Sequence, residues 1–252
     1  MRALAVDRSS DVWRLVLNRP ERGNAIDAAM VRAFDELLDE AQSCRIRGLV
    51  IQAEGRHFCT GLDLGALGEE SDDSLLARFV RIELLLQRIA RAPFVTAAVA
   101  RGRAIGAGAD LFAACQLRLA LKTATFAFPG ASGFGLVLGT RRLSQCVGAT
   151  TALTWAQTGR TINAEEARRC GLVECLDDDA AALARSIDGR LRAASVAASL
   201  RAAVEPNAAI DDARDLERLV RSAAARGLRD RIAAYAERLP RPLPILNRED
   251  ES

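Results

Sequence analysis

The chain has 252 residues, half of them hydrophobic and 27% charged, with a net charge of +2. That length can bury one large core with a smaller appendage, and the near-neutral charge gives no reason to expect a nucleic-acid partner. Six cysteines without a CxxC pair, beside a single histidine, argue against a zinc site and fit a reduced compartment. No run approaches the roughly 18 apolar residues of a membrane span. The N-terminus lacks the apolar region of a signal peptide, so a cytoplasmic protein with no membrane partner is expected.

Residues 12–17 (VWRLVL) read as a strand, stopped by Asn18, Arg19 and Pro20. Met30, Phe34, Leu37, Leu38 and Ala41 recur at helical spacing over 28–41, with Asp27 placed to cap. A buried strand is expected at 48–53. A helix follows at 75–89, with Leu75, Phe79, Ile82, Leu86 and Ile89 on one face. The strand at 94–100 leads into a small-residue segment, RGRAIGAGAD at 101–110, and then a short apolar helix. Short strands follow around 117–120 and 125–128. This alternation points to an α/β core with parallel strands.

The remainder reads as mostly helical. Short helices are expected at 141–146 and 151–157. Asn163 opens another, with Glu166 spaced for a capping box and Gly171 as the stop. Longer helices are expected at 177–204, 210–225 and 228–239. Strands stop near Asp177, which divides the chain into a core at 1–176 and a helical region at 177–252.

The glycine segment carries the chemistry. A small-residue turn into a helix leaves backbone N–H groups free at the helix N-terminus, where they can hold an anion or a developing oxyanion. Asp110 falls in the first turn of that helix, and a second small-residue loop, GRHFCTGLDL, lies upstream at 55–64. Each feature also has a plainer reading. Such turns usually serve packing, and Asp110 suits a helix start for dipole reasons alone. His57 reads as a solvated loop residue, Asp63 as a loop-shaping acceptor and Cys59 as a small buried residue. Trp13 and Trp155 read as core filling. The segment is no dinucleotide fingerprint, because the G-x-G-x-x-G register is missing. No metal, nicotinamide or flavin site is suggested.

Several blocks together resemble the crotonase (enoyl-CoA hydratase/isomerase) superfamily. They are NRPERGNAI at 18–26, GRHFCTGLDL at 55–64, APFVTAAV at 92–99 with GRAIGAGADL at 102–111, FAFP at 126–129 running to TRRL at 140–143, and TGRTINAEEARRCGLV at 158–173. The resemblance implies an α/β fold, a spiral of ββα turns with a helical C-terminal region that serves as trimerisation surface or lid. It implies a homo-oligomer, a trimer or dimer of trimers, and a role in fatty-acid metabolism. It implies an acyl-CoA thioester as ligand, with no separate cofactor. The backbone N–H groups of Leu62 and Ala107 would form the oxyanion hole, and Asp110 would act as acid/base. Arg22, Ala25, Gly61, Asp63 and Gly106 would line the CoA. The segment AYAER at 234–238 would reach a neighbouring subunit's CoA site.

The chain departs from that pattern in places. Family hydratases use two glutamates to position and activate a water. The first aligns with Asp110, an acid also found there in the family's dienoyl-CoA isomerases, and the second aligns with Gly130, which has no side chain. The segment at 133–139 is shorter than its family counterpart. Ala107 stands where glycine is common, which requires a negative φ. Two readings follow: an enzyme working through an acyl-CoA enolate with Asp110 as sole acid/base, or a non-catalytic acyl-CoA carrier.

Overall fold

Successive side chains of a strand face opposite sides, and the central strands bury both. In β2 (Val12–Leu17), Trp13, Leu15 and Leu17 enter the main core while Val12 faces a second apolar cluster. β3 (Gly48–Ala53) and β4 (Val95–Ala100) divide likewise, with Leu49, Ile51, Ala98 and Ala100 on one side and Val50, Val95 and Ala97 on the other. The computed structural model describes residues 3–195 and 207–238. With β1 (Leu4–Asp7), β6 (Leu117–Leu121) and β9 (Cys175–Asp177), these strands form a sheet in the order β1-β2-β3-β4-β6-β9. All neighbours run parallel except β1 and β2.

A smaller sheet joins β5 (Arg103–Ile105), β7 (Thr125–Ala127) and β8 (Ile162–Asn163). Isolated bridges pair Ile26 with Leu62 and Cys59 with Ala104. Helices α1 (Ala28–Ser43), α2 (Asp72–Ala90) and α3 (Ala107–Ala114) complete the successive turns. Each turn thus adds a long strand, a short strand or bridge, and a helix: a ββα spiral. Asp27 caps α1, accepting from the Met30 amide at 2.7 Å.

Short helices α4 (Gly130–Phe134), α5 (Thr140–Val147), α6 (Ala149–Thr158) and α7 (Ala164–Arg169) follow β7. Helix α8 (Ala180–Ser195) lays Leu183, Ile187 and Leu191 on the second cluster and so covers the sheet face opposite the main core. Helices α9 (Ala208–Ala223) and α10 (Leu228–Glu237) build a third cluster, in which Leu219 and Ile232 meet Leu75, Phe79 and Leu136. Trp13 and Trp155 are buried.

Four elements, β1, β5, β8 and α4, do not follow from the sequence patterns, and Asp177, expected to open the long helix, instead ends β9, with the helix beginning at Ala180. β5 lies inside the glycine segment, so the route from β4 to α3 is a strand as well as a turn. The expected capping box at Asn163 is only half made. Asn163 Oδ1 accepts from the Glu166 amide at 2.8 Å, but the Glu166 carboxylate pairs with Arg160 instead. The helix expected to run to 204 is described as far as Ser195, and the end expected at 239 also lies outside the described residues.

Ile187→Ala should cost about 2–5 kcal/mol in urea unfolding, the range for a buried aliphatic truncation. A loss within about 0.5 kcal/mol would match an exposed position instead.

Candidate active site

Two loops meet backbone to backbone. The Phe58 amide donates to Arg101 O at 2.9 Å, the Cys59 amide to Arg103 O at 3.1 Å, and the Ile105 amide to Cys59 O at 2.9 Å. On its other edge the first loop holds Ile26. The Ile26 amide donates to Gly61 O at 2.7 Å and the Asp63 amide to Ile26 O at 2.9 Å. Because strand amides alternate, this pairing turns the Leu62 N–H away from Ile26. Gly61 has φ +100°, and a Cβ built on it would lie 2.9 Å from Ile105 O and 3.8 Å from the Ala107 nitrogen. The 61–62 segment therefore sits directly against the start of α3. A Cβ at Gly108 would collide with the Cys59 carbonyl.

The left-handed backbone falls on Gly106 (φ +53°), and Ala107 is not among the non-glycine residues of positive φ. Ala107 is the first residue of α3, whose N–H has no partner within the helix. Among the described residues, neither the Leu62 nor the Ala107 amide donates to a protein acceptor. Both residues line a cavity of about 570 Å³, with Gly61, Gly106 and Asp110.

Asp110 is 5% exposed, and its Oδ1 has no hydrogen-bond partner among the described residues. Burial pushes its carboxyl well above the usual carboxylate range. Arg142 pulls the other way and Glu83 adds to the rise. Gly139 packs so closely on Asp110 that a Cβ there would overlap the carboxyl. Beside it, Arg142 and Glu83 form a buried two-pronged ion pair, Nη1 to Oε1 at 2.9 Å and Nη2 to Oε2 at 2.5 Å. Among the described residues Asp110 is the one carboxylate lining the cavity.

Pro129 and Gly130 line the same cavity. The Leu136 amide donates to Gly130 O at 2.9 Å, and a Cβ on Gly130 would lie 3.0 Å from Leu136 O. The 133–139 segment thus folds back on this position, leaving little space for a side chain. Ser132, the nearby hydroxyl, is not among the lining residues.

The paired loops and their cavity belong to a known sequence pattern. The model of the enoyl-CoA hydratase/isomerase family matches residues 7–242. The chain is a member of this family. A crystal structure of a candidate enoyl-CoA hydratase/isomerase from Bordetella parapertussis is 40% identical, covers 95% of this chain and 100% of that one, and superposes with a TM-score of 0.87. The Enoyl-CoA isomerase/hydratase fer4 of Mycosarcoma maydis is 30% identical over 77% of this chain and 79% of its own length. A rat protein, Enoyl-CoA hydratase domain-containing protein 3, mitochondrial, is 31% identical over 74% of this chain and 65% of its own length. The matched stretch thus spans under two thirds of the rat protein, as it does of a Bacillus subtilis relative, where it covers 63%.

Within this family frame the residues read from sequence separate into groups. Leu62, Ala107, Gly61, Gly106 and Asp110 share the cavity. Arg22, Ala25 and Asp63 do not line it. Asp63 instead accepts from the Gly65 amide at 2.9 Å and pairs with Arg19 at 2.9 Å. Burial pushes its carboxyl up, but those hydrogen bonds and the Arg22 and Arg19 charges hold it below the usual range. Arg22 is half-exposed, 3.6 Å from Asp63. The Ala25 carbonyl accepts from Arg19 at 2.8 Å. His57 does not line the cavity; its Nδ1 accepts from the Arg103 amide at 3.2 Å. Cys59 is fully buried, and burial pushes its thiol up to about 12.

Sequence reasoning missed several contributors. Asn24, buried with φ +55°, accepts from the Arg19 amide and donates to the Glu54 and His57 carbonyls, tying the 18–26 turn to the loop after β3. It lies inside the NRPERGNAI block, between Arg22 and Ala25, and no local pattern marks its left-handed backbone. Glu83 sits on the otherwise apolar face of α2, a position that marks a buried charge. The cluster Phe126, Phe128 and Phe134, which the sequence leaves open between acyl tunnel and core with core favoured for Phe126 and Phe128, divides: Phe128 and Phe134 line the cavity while Phe126 is wholly core. Tyr235 lines the cavity of its own chain.

Gly108→Ala forces a methyl onto the Cys59 backbone and should cost about 1–3 kcal/mol by overpacking. An unchanged unfolding midpoint would contradict the close approach. Asp110 gives a pH test. Its folded value is raised above the unfolded value of about 4. The stability it contributes is full below about pH 4 and lost as pH rises through the folded value. Asp110→Asn, which cannot ionise, should gain in melting temperature over wild type as pH rises from about 5 to 9. Parallel curves would contradict the burial.

Proposed function

We propose that the chain binds an acyl-CoA thioester and shifts its double bond through an enolate. The thioester oxygen would accept from the Leu62 and Ala107 amides, each donor worth about 2.7–4 kcal/mol in comparable oxyanion holes. Asp110, as carboxylate, would take a proton from the α-carbon of a 3-enoyl thioester. The electron pair passes to the thioester oxygen as a dienolate. Asp110 then returns the proton at the γ-carbon, leaving a 2-enoyl thioester. One acid/base suffices because the proton leaves and re-enters on the same group.

The observation that carries this reading is the lone buried carboxyl facing a cavity with two unpartnered amides. Hydration needs a second group to hold water, and Gly130 offers none. Asp is shorter than Glu by one methylene, about 1.5 Å, and a misplacement of about 1 Å can cost about 10²-fold. Arg22, half-exposed beside Asp63 and Gly65, would meet the CoA phosphates, and Ala25, Gly61, Asp63 and Gly106 would border the CoA. Assembly as a trimer or dimer of trimers belongs to the same proposal. No helix among the described residues is long and apolar enough to cross a membrane.

Gly130 also favours a second reading, a carrier that binds acyl-CoA without turnover. Assays with 3-enoyl-CoA and crotonyl-CoA separate the two. The expected outcome is measurable isomerisation, hydration slower by about 10²-fold or more, and a loss of about 10²–10⁴-fold in Asp110→Ala. Because only the carboxylate can accept the proton, kcat/KM should rise with pH through the raised Asp110 value. Tight binding with no turnover in either protein would leave the carrier.

A further inference from the structure

Helix α10 is fastened to α4 rather than extended from the molecule. Arg231 Nη1 donates to Phe134 O at 2.6 Å and Arg238 Nη2 to Gly133 O at 3.1 Å. At the other end of α10, Asp72 accepts from the Gly227 amide at 2.9 Å and the Arg229 amide at 2.8 Å. Both ends are therefore held. Between them Ile232 and Tyr235 face the cavity.

Tyr235 is the one tyrosine of the sequence. Its ring lies 5.5 Å from that of Phe134, which stacks on Phe79 at 6.3 Å, so three aromatic rings form a continuous surface. The approach depends on Gly133, where a Cβ would lie 2.7 Å from Tyr235 Cδ2. Glycine at 133 thus admits the ring. Leu62 and Ala107 line the same cavity as this aromatic surface, and Leu62 itself packs against the third apolar cluster to which Phe79, Phe134 and Ile232 belong. A thioester held by those amides would direct its acyl chain toward that cluster.

We propose that Tyr235, backed by Phe134 and Ile232, is the end wall of the acyl compartment and sets the longest acyl group the protein accepts. This rests on the acyl-CoA reading above and adds the specificity-determining residue. The wall comes from the same chain as the cavity, and it is apolar except for the phenol. Unbranched acyl groups should gain affinity with each methylene until the chain end meets the ring. Beyond that point, added carbons strike a helix fixed at both ends.

The test is calorimetric titration of saturated acyl-CoA esters, from acetyl to hexadecanoyl, into wild type, Tyr235→Ala and Tyr235→Leu. In wild type, affinity should rise by up to about fourfold per methylene and then fall sharply. Tyr235→Ala should move that fall to longer chains by about two carbons or more. Tyr235→Leu keeps apolar packing and should give an intermediate limit, which guards against misfolding of the alanine variant. An unmoved limit in both folded variants, with acyl-CoA still bound, would overturn the assignment of Tyr235 alone. Failure of wild type to bind any ester would overturn this proposal and the acyl-CoA reading together.

Discussion

The main-chain seam between the 58–63 loop and the 101–108 segment is the constraint on which the rest of the site depends. Hydrogen bonds from Phe58, Cys59 and Ile105 fix the seam along its length, and Gly61 and Gly108 let the two backbones touch. Backbone groups held in this way need no reorganisation when charge develops on a ligand, which is the basis of electrostatic preorganisation. Ile26, pinned to Gly61 and Asp63, braces the seam from behind. Arg19 and Asn24 brace Ile26 in turn, which gives the NRPERGNAI block a mechanical role distinct from any contact with ligand.

Asp110 depends on the seam differently. It rides on the first turn of α3, so its position follows from that of Ala107. Its burial, with Oδ1 unpartnered among the described residues, favours the neutral acid. The nearby Arg142 charge is mostly matched by Glu83, so the net field at Asp110 is smaller than a lone guanidinium would give. The Glu83–Arg142 pair also ties α2 to α5, and Asp215 of α9 approaches Arg142 at 3.8 Å. The C-terminal helices therefore help to hold the floor beneath the carboxyl.

The central strands were legible because Leu49, Val50 and Ile51 must bury both faces, a demand written in local hydrophobicity. β5 was not, because three residues, Arg103 to Ile105, become a strand only through partners at Cys59 and Thr125–Ala127. α4 was hidden by its own composition: GASGF has poor helix propensity and is held by contacts with α6 and α10. Asp110, Leu62 and Ala107 came from motif resemblance, and geometry adds which of the quoted residues share the cavity. Glu83 falls on the apolar face of α2, but its partner Arg142 lies 59 residues away and nothing local to either names the pair. Tyr235 lies in a segment expected from resemblance to serve a neighbouring subunit, and nothing local to AYAER says that it docks on Gly133.

The most direct measurement is the carbonyl stretch of a bound saturated acyl-CoA labelled with ¹³C at the thioester carbon, taken as an isotope-edited infrared difference spectrum. Saturated acyl groups cannot shift a double bond, so polarisation is read without turnover. If the Leu62 and Ala107 amides converge on the oxygen, the band moves to lower frequency than in free ligand. A bound ligand whose carbonyl absorbs where it does in water would contradict the account.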